Sequence, residues 1–367
     1  MGAISWCAAM ESALYGPDGF YVCSPNGPAG HFRTSVHASP LFAGALLGLI
    51  ERVDAALGHP DPFDVVDVGA GRGELLSAVR ARAACEFSER LRLTAVELAP
   101  RPGGLDHGIA WRRDVPDGIV GLLLATEWLD NVPLDVAELG DHGLRRVLVD
   151  PATGVETLRD GLDAADIQWL ARWWPGSIGD AAKGHGQCAE TGAARGGSQP
   201  RAAGTVPASN PSDGAVPGER AEIGWPRDRA WAGAVSRVRR GAALTVDYGH
   251  LRDERPVFGT LTGFLGGRQV PPVPDGRRDV TAHVAMDSVA TAGGTPYVLI
   301  QQRTALKALG VDGARPPLAR AGTDPAGYLR ALSVAGASAE LLDPAGLGGH
   351  WWLLHGIGID PRGIIDL

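Results

Sequence analysis

Residues Val65-Val66-Asp67-Val68-Gly69-Ala70-Gly71-Arg72-Gly73-Glu74-Leu75 constrain the fold more than any other stretch of the chain. A short β-branched apolar run breaks into three glycines at alternate positions, and a helical pattern through about Arg82 follows. Strand, turn and helix in that order expose a backbone nearly bare of side chains at the carboxyl end of a buried strand. Gly69 and Gly71 permit a tight turn and close approach of backbone to a ligand, while Gly73 lets the helix lie near the strand. The dinucleotide fingerprint G-x-G-x-x-G would set its third glycine at position 74. That position is Glu74, and the pattern from Asp67 reads Asp-x-Gly-x-Gly-x-Gly.

A second landmark follows. Leu91 to Leu98 reads as a strand ending in Glu97, 24 residues beyond Gly73. An ionised carboxylate at that strand tip accepts hydrogen bonds only and can take both hydroxyls of a ribose. The glycine spacing is the form carried by enzymes that use S-adenosylmethionine, in which the loop meets the methionine end of a nucleoside. A nicotinamide dehydrogenase is the disfavoured alternative because of Glu74.

Composition bounds the remaining choices. The 367 residues suffice for two domains, or for one α/β domain with a large insertion. A hydrophobic content of 44% describes ample core material. The net charge of −8, without a dense Lys/Arg cluster, argues against nucleic acid as the principal partner. Cys7, Cys23, Cys85 and Cys188 form no C-x-x-C pair, so neither a metal site nor a disulfide framework is expected. No membrane span and no signal peptide are expected, and the cytoplasm is the simplest compartment.

Strand patterns recur at 109–113 and 119–126, and a hairpin is expected from Val136–Leu139 and Leu144–Val149 around Gly140-Asp141-His142-Gly143. Helices are expected at 4–15, 41–57, 163–174 and 228–239, with a loop-rich arm from Gly16 to Pro40. Further strands are expected at 242–246, 297–301 and 350–355. Between Gly176 and Glu222, 28 of 47 residues are Gly, Ala, Pro or Ser. Such a segment buries too little apolar surface to offset its ordering entropy, so it reads as a disordered or loosely packed insertion. The expected division is an N-terminal arm with helices (1–60), a first core part (61–150), a helical insertion (151–230) and a second core part (231–367). Alternating strands and helices imply an α/β fold with a mostly parallel sheet covered on both faces.

Ligands in such sheets sit beyond the carboxyl ends of the strands. The strand at 119–126 ends in Glu127-Trp128-Leu129-Asp130-Asn131-Val132-Pro133, where Glu127 and Asp130 can share a side if the chain turns helically. Each is either a helix cap or salt-bridge partner, or a carboxylate with a task. The next strand supplies Asp247-Tyr248-Gly249, in which Asp247 is a cap or a functional acid. In Asp279-Val280-Thr281-Ala282-His283-Val284, one reading has Asp279 capping a following helix. His283 is either an ordinary exposed residue or a proton acceptor.

Taken in order, these motifs resemble the MidA family of S-adenosylmethionine-dependent methyltransferases, whose mitochondrial members assist assembly of respiratory complex I. The resemblance begins at Ala13-Leu14-Tyr15-Gly16-Pro17-Asp18-Gly19-Phe20-Tyr21 and continues through Phe32-Arg33-Thr34-Ser35 and Ser39-Pro40-Leu41-Phe42. It takes in the glycine loop, Glu127 to Pro133, Asp247-Tyr248-Gly249, Gly259-Thr260-Leu261 and Asp279 to Val284. Gln301 to Val311 and Trp351 to Leu354 complete it. The sequence departs from the family pattern at His31 and at Val36-His37, and near Arg101 to Leu105.

The resemblance implies a doubly wound, Rossmann-like class I methyltransferase core with an N-terminal arm and an insertion. It implies S-adenosylmethionine as cofactor, with Asp67, Gly69, Gly71, Gly73 and Glu97 around it and Tyr15, Thr34 and Ser35 of the arm closing over it. It implies a protein acceptor, with arginine favoured. Guanidinium is always protonated and offers a planar fork of donors, so Glu127 and Asp130 are the candidate clamp, and His283 or Asp247 the candidate proton acceptor. A small-molecule methyltransferase and a non-catalytic assembly factor of the same fold are the alternatives.

Overall fold

The structure is a computed structural model that describes residues 2–23, 35–191 and 218–365. Its centre is a seven-stranded sheet, with β1 Phe63–Val68, β2 Leu91–Val96, β3 Ile109–Arg112, β4 Ile119–Thr126, β5 Val238–Asp247, β6 Tyr297–Gln301 and β7 Trp351–Ile357. Their order across the sheet is β6-β7-β5-β4-β1-β2-β3. The pairs among β1 to β5 are all parallel. Strand β7 runs antiparallel to both β5 and β6, so the sheet is mixed.

Both faces of the sheet are apolar, which is why its strands read as continuous hydrophobic runs. Val65, Leu122, Leu124, Leu244 and Trp352 face one cluster, closed by helix Pro40–Leu57 through Phe42, Leu46 and Ile50. Val66, Leu123, Ala243 and Leu353 face the other, closed by Trp231, Met286 and Val289 from helices Trp225–Val235 and Met286–Ala292. Successive residues alternate between the clusters, as the two-residue period of a strand requires. Helix Pro40–Leu57 starts where the Ser39 hydroxyl accepts from the Leu41 N–H, and ends at Gly58, whose φ of 77° suits glycine.

The hairpin expected at 136–149 forms, as Asp135–Gly140 and Gly143–Val149, but in a second, antiparallel sheet. Ile4–Ser5, Glu156–Arg159 and Glu219–Ile223 complete that sheet. The insertion is therefore not wholly helical. The reading of 176–222 as disordered also needs correction at both ends: Gly176–Thr191 is a helix and Glu219–Ile223 a strand. Ile178 and Ala182 are buried with Trp169, Trp174, Ala221 and Ile223, so a few apolar residues anchor these segments. Residues 192–217 lie outside the described residues. Among the described residues, no helix is long and apolar enough to cross a membrane.

Candidate active site

At the carboxyl ends of the strands, the chain after β1 turns through Gly69, Gly71 and Gly73, with φ of 71°, 58° and 81°. These are left-handed values that side chains resist. The Gly69 and Ala70 N–H groups donate to Val96 O, at 3.0 and 3.3 Å, which ties the loop to the end of β2. A Cβ on Gly69 would lie 3.0 Å from Trp128 Cδ1, and one on Gly73 would lie 2.7 Å from Leu105 Cδ1. Gly73 thus leaves room for Leu105, in the loop between β2 and β3, against the start of helix Glu74–Arg82.

The loop borders a cavity of about 330 Å³, within the usual range for small-molecule and cofactor sites (~300–1,000 Å³). Asp67, Gly69, Gly71, Glu97, Tyr15 and Glu127 all line it. Ser35 and Gly73 do not. Ser35 is fully buried and donates its N–H to Glu127 Oε1 at 2.8 Å, so it acts by holding that carboxylate. Thr34 lies outside the described residues, as do His31, Phe32 and Arg33. Val36, one of the departures from the family pattern, lines the cavity.

Asp67 is 2% exposed, and its Oδ1 has no hydrogen-bond partner among the described residues. Burial, reinforced by the Glu74 and Glu97 carboxylates, pushes it up to about 8. Glu97 is also raised by burial, against the pull of three backbone donors. Its Oε1 accepts from the Leu98 and Ala99 N–H groups at 2.7 and 3.2 Å, and its Oε2 from Gly71 at 3.0 Å. A carboxylate has about four acceptor positions, so in this geometry Glu97 has room for about one ribose hydroxyl rather than two.

Glu127 has a φ of 52°, a left-handed backbone in a residue that is not glycine. Its N–H donates to Val246 O at 2.7 Å, and Ser35 holds the side chain. Such an outlier persists only where its surroundings over-determine it, and it marks functional positions more often than others.

The expected clamp of Glu127 with Asp130 does not form in this geometry. The left-handed turn at Glu127 precedes the 3-10 turn Leu129–Asn131, so the two side chains are out of helical phase. Asp130 is 2% exposed and accepts from the Tyr248 hydroxyl and, at 2.8 Å, from Thr281 Oγ1. Asp247 is fully buried, and its carboxylate accepts from the backbone N–H groups of Leu129, Asp130 and Tyr248. It is a cap of the turn, as one of its two readings allowed, and is not placed to receive a proton from the cavity. His283 is exposed and lines a different hollow. Asp279 does not cap a helix; it sits in strand Asp279–Thr281, because the next helix begins only at Met286.

Several site residues went unread in the sequence. Arg113, Asp114 and Val115 follow β3 and line the cavity; the rule that ligands meet strand tips applied to β3 as well and would have found them. Tyr21 and Asn131 line it too. The Tyr21 hydroxyl lies 2.8 Å from Asn131 Oδ1 and 3.0 Å from Asp279 Oδ1, and Asn131 Nδ2 donates to the same Asp279 oxygen at 2.8 Å. Burial first, and Asp130 second, raise Asp279 to about 8. The Tyr21 hydroxyl donates to Asp279 Oδ1 or to Asn131 Oδ1, and Asn131 ties the group together. Buried Arg227 donates to the carbonyls of Asp130, Val132, Ala282 and His283, pinning the 129–132 turn to the 281–283 segment.

Among the described residues the cavity is therefore acid-lined: Asp67, Glu74, Glu97, Asp114 and Glu127 stand against Arg113. That lining suits a cationic ligand. The orphaned Asp67 oxygen and the bare glycine backbone fit a nucleoside that carries an ammonium group.

Comparison with known proteins agrees with this geometry. Residues 49–298 match a family model described as "putative S-adenosyl-L-methionine-dependent methyltransferase". The protein arginine methyltransferase NDUFAF7 homolog, mitochondrial, of Drosophila melanogaster is 27% identical over 204 residues, 46% of this chain and 45% of the fly protein. The match thus spans less than half the length of that relative. A Burkholderia thailandensis protein with bound S-adenosyl-homocysteine has the same fold, with a TM-score of 0.73 and 22% identity over 100% of this chain and 91% of that one. A native crystal structure from the same organism gives 0.69 and 21%, over 100% and 90%. The family-model match covers well over half of the sequence and includes the carboxyl ends of β1 to β5. This chain belongs to the MidA family of S-adenosylmethionine-dependent methyltransferases.

Proposed function

We propose that the protein transfers a methyl group from S-adenosylmethionine to an arginine side chain of another protein. The observation that carries this reading is the acid-lined cavity beside the glycine loop, in which Glu127 is held in a strained backbone. The donor, when bound, supplies a sulfonium methyl that is electrophilic and leaves a neutral thioether behind. Asp67 would meet the ammonium of the donor's methionine end, Glu97 a ribose hydroxyl, and Gly69 and Gly71 would let the backbone approach. We read the frame that positions them as the Rossmann-like core of class I methyltransferases with one antiparallel strand.

Glu127 would orient the guanidinium. One Oε accepts an N–H while the Ser35 N–H fixes the other. A carboxylate so placed draws charge from the guanidinium, so that one nitrogen attacks the methyl in line. The N–C bond forms as the S–C bond breaks, and the proton shed by that nitrogen passes to Glu127. Most of the rate would come from positioning and preorganised charge. The fly relative supports arginine as the acceptor, through its name alone.

The test is incubation of the full chain with deuteromethyl S-adenosylmethionine and a protein extract, followed by digestion and mass spectrometry. Labelled methylarginine in an extract protein is the expected result. Label confined to lysine or to a small molecule would refute the acceptor while leaving the donor intact.

A further inference from the structure

A second hollow, of about 520 Å³, opens at the same edge of the sheet. Its lining includes Tyr248 and His283, His350 just before β7, and Glu340 and Asp343 at the end of helix Pro325–Leu342. His350 is 9% exposed, yet its Nδ1 has no hydrogen-bond partner among the described residues. The Tyr248 ring packs against His283, edge to face, and at a tilt against His350, at 5.2 and 5.6 Å between centroids.

We propose that this hollow binds a cationic side chain, an arginine flanking the one to be methylated, in the acceptor protein. The proposal rests on the reading of the acceptor as an arginine-bearing protein. Three features match a guanidinium: an aromatic face at Tyr248, carboxylates at Glu340 and Asp343, and an unpartnered imidazole nitrogen that can accept an N–H. Burial holds His350 down to about 4, so it is neutral at pH 7 and does not repel a cation. A buried polar nitrogen without a partner is costly unless a ligand or water meets it.

The position fits the same acceptor. Thr126 pairs with Val246, and Val246 with Trp352, so Glu127 and Tyr248, after β4 and β5, and His350, before antiparallel β7, stand at one edge. Glu127 and His350 are therefore about two strand spacings apart, roughly 10 Å. An extended peptide covers that distance in about three residues. The hollow therefore selects acceptors with a second cation about three residues from the methylated arginine.

The test uses the full chain, with N-acetyl-arginine amide and its uncharged citrulline counterpart as probes. Imidazole ¹⁵N resonances of His283 and His350 are followed by NMR. Saturable shifts with the arginine amide, little response to citrulline, and at least fivefold weaker binding in Asp343→Asn and His283→Ala are expected. Both substituted residues are exposed, and circular dichroism checks that each variant keeps its fold. Unmoved histidines, an equal response to citrulline, or unaltered affinity in both variants would overturn the proposal. Calorimetry with S-adenosylmethionine on the same samples separates the two readings. Donor binding without an arginine response removes this site alone, whereas an arginine response without donor binding removes the methyltransferase reading instead.

Discussion

At Asp67 the carboxyl is buried, lacks a partner for Oδ1 among the described residues, and is held up to about 8. A cationic donor in the cavity would favour its ionised form, so binding at neutral pH should release a proton. S-adenosylmethionine titrations in buffers of different ionisation enthalpy should show that release near pH 7, with affinity falling as pH drops below about 8. Asp67→Asn should abolish the linkage; a linkage that survives in this variant would remove Asp67 from the donor site. For Glu127→Gln, the reading expects methyl transfer to fall roughly a hundredfold or more, with donor affinity changed little. Unchanged turnover would show that Glu127 has no part in the chemistry. The sequence marked both residues, because a strand tip and a broken apolar run are local signals. It misread Asp130, since whether two carboxylates three residues apart share a side depends on the backbone hand at Glu127, which the residue types alone do not disclose.

Among the elements, the turn at 129–132 depends on groups far away in the chain. Asp247 caps its N–H groups, and Arg227 gathers its carbonyls with those of 282 and 283. Arg227→Leu removes the donor that four carbonyls share and leaves Asp130 and Asp247 without the Arg227 charge. We expect a loss of about 3–5 kcal/mol in denaturant unfolding; a loss under 1 kcal/mol would contradict that role. The regular elements were legible because each carries its own period, as in Val65–Val68, Ile119–Thr126 and Leu41–Leu57. Sheet membership was not. The hairpin at 135–149 has the pattern of any half-buried pair, and only Ile4–Ser5, Glu156–Arg159 and Glu219–Ile223 reveal that it builds a second sheet. The helix Gly176–Thr191 was hidden by its glycines and alanines, since the buried residues that anchor it, among the described side chains, are Ile178 and Ala182. Asp279 resembled a cap for want of any local sign that residues 279–281 pair with 262–264.

For the whole molecule, buried ionisable groups set how stability varies with pH. Asp67 and Asp279 are raised to about 8, so they bind protons in the folded state that they lose in the unfolded state. Their contribution is fully present below about pH 4 and is lost as pH rises toward 8. His250, lowered to about 3, and His350 and His355, lowered to about 4, act oppositely. They weaken the fold as pH falls below about 6.5. Between 6.5 and 8 only the carboxyl contribution from these groups varies, so stability without ligand should decline across that window. Asp279→Asn should flatten the decline, as read by urea unfolding at each pH. A rise in stability toward pH 8 would contradict the assignment of the two protonated carboxyls. The most direct test of the account as a whole is calorimetric titration of the full chain with S-adenosylmethionine, beside NADH and beside the variant Gly69→Val, whose side chain meets Trp128. One donor bound per chain, no response to NADH, and at least a tenfold loss of donor affinity in the variant are expected. Binding of NADH without S-adenosylmethionine, or a variant that binds the donor as the native chain does, would contradict it.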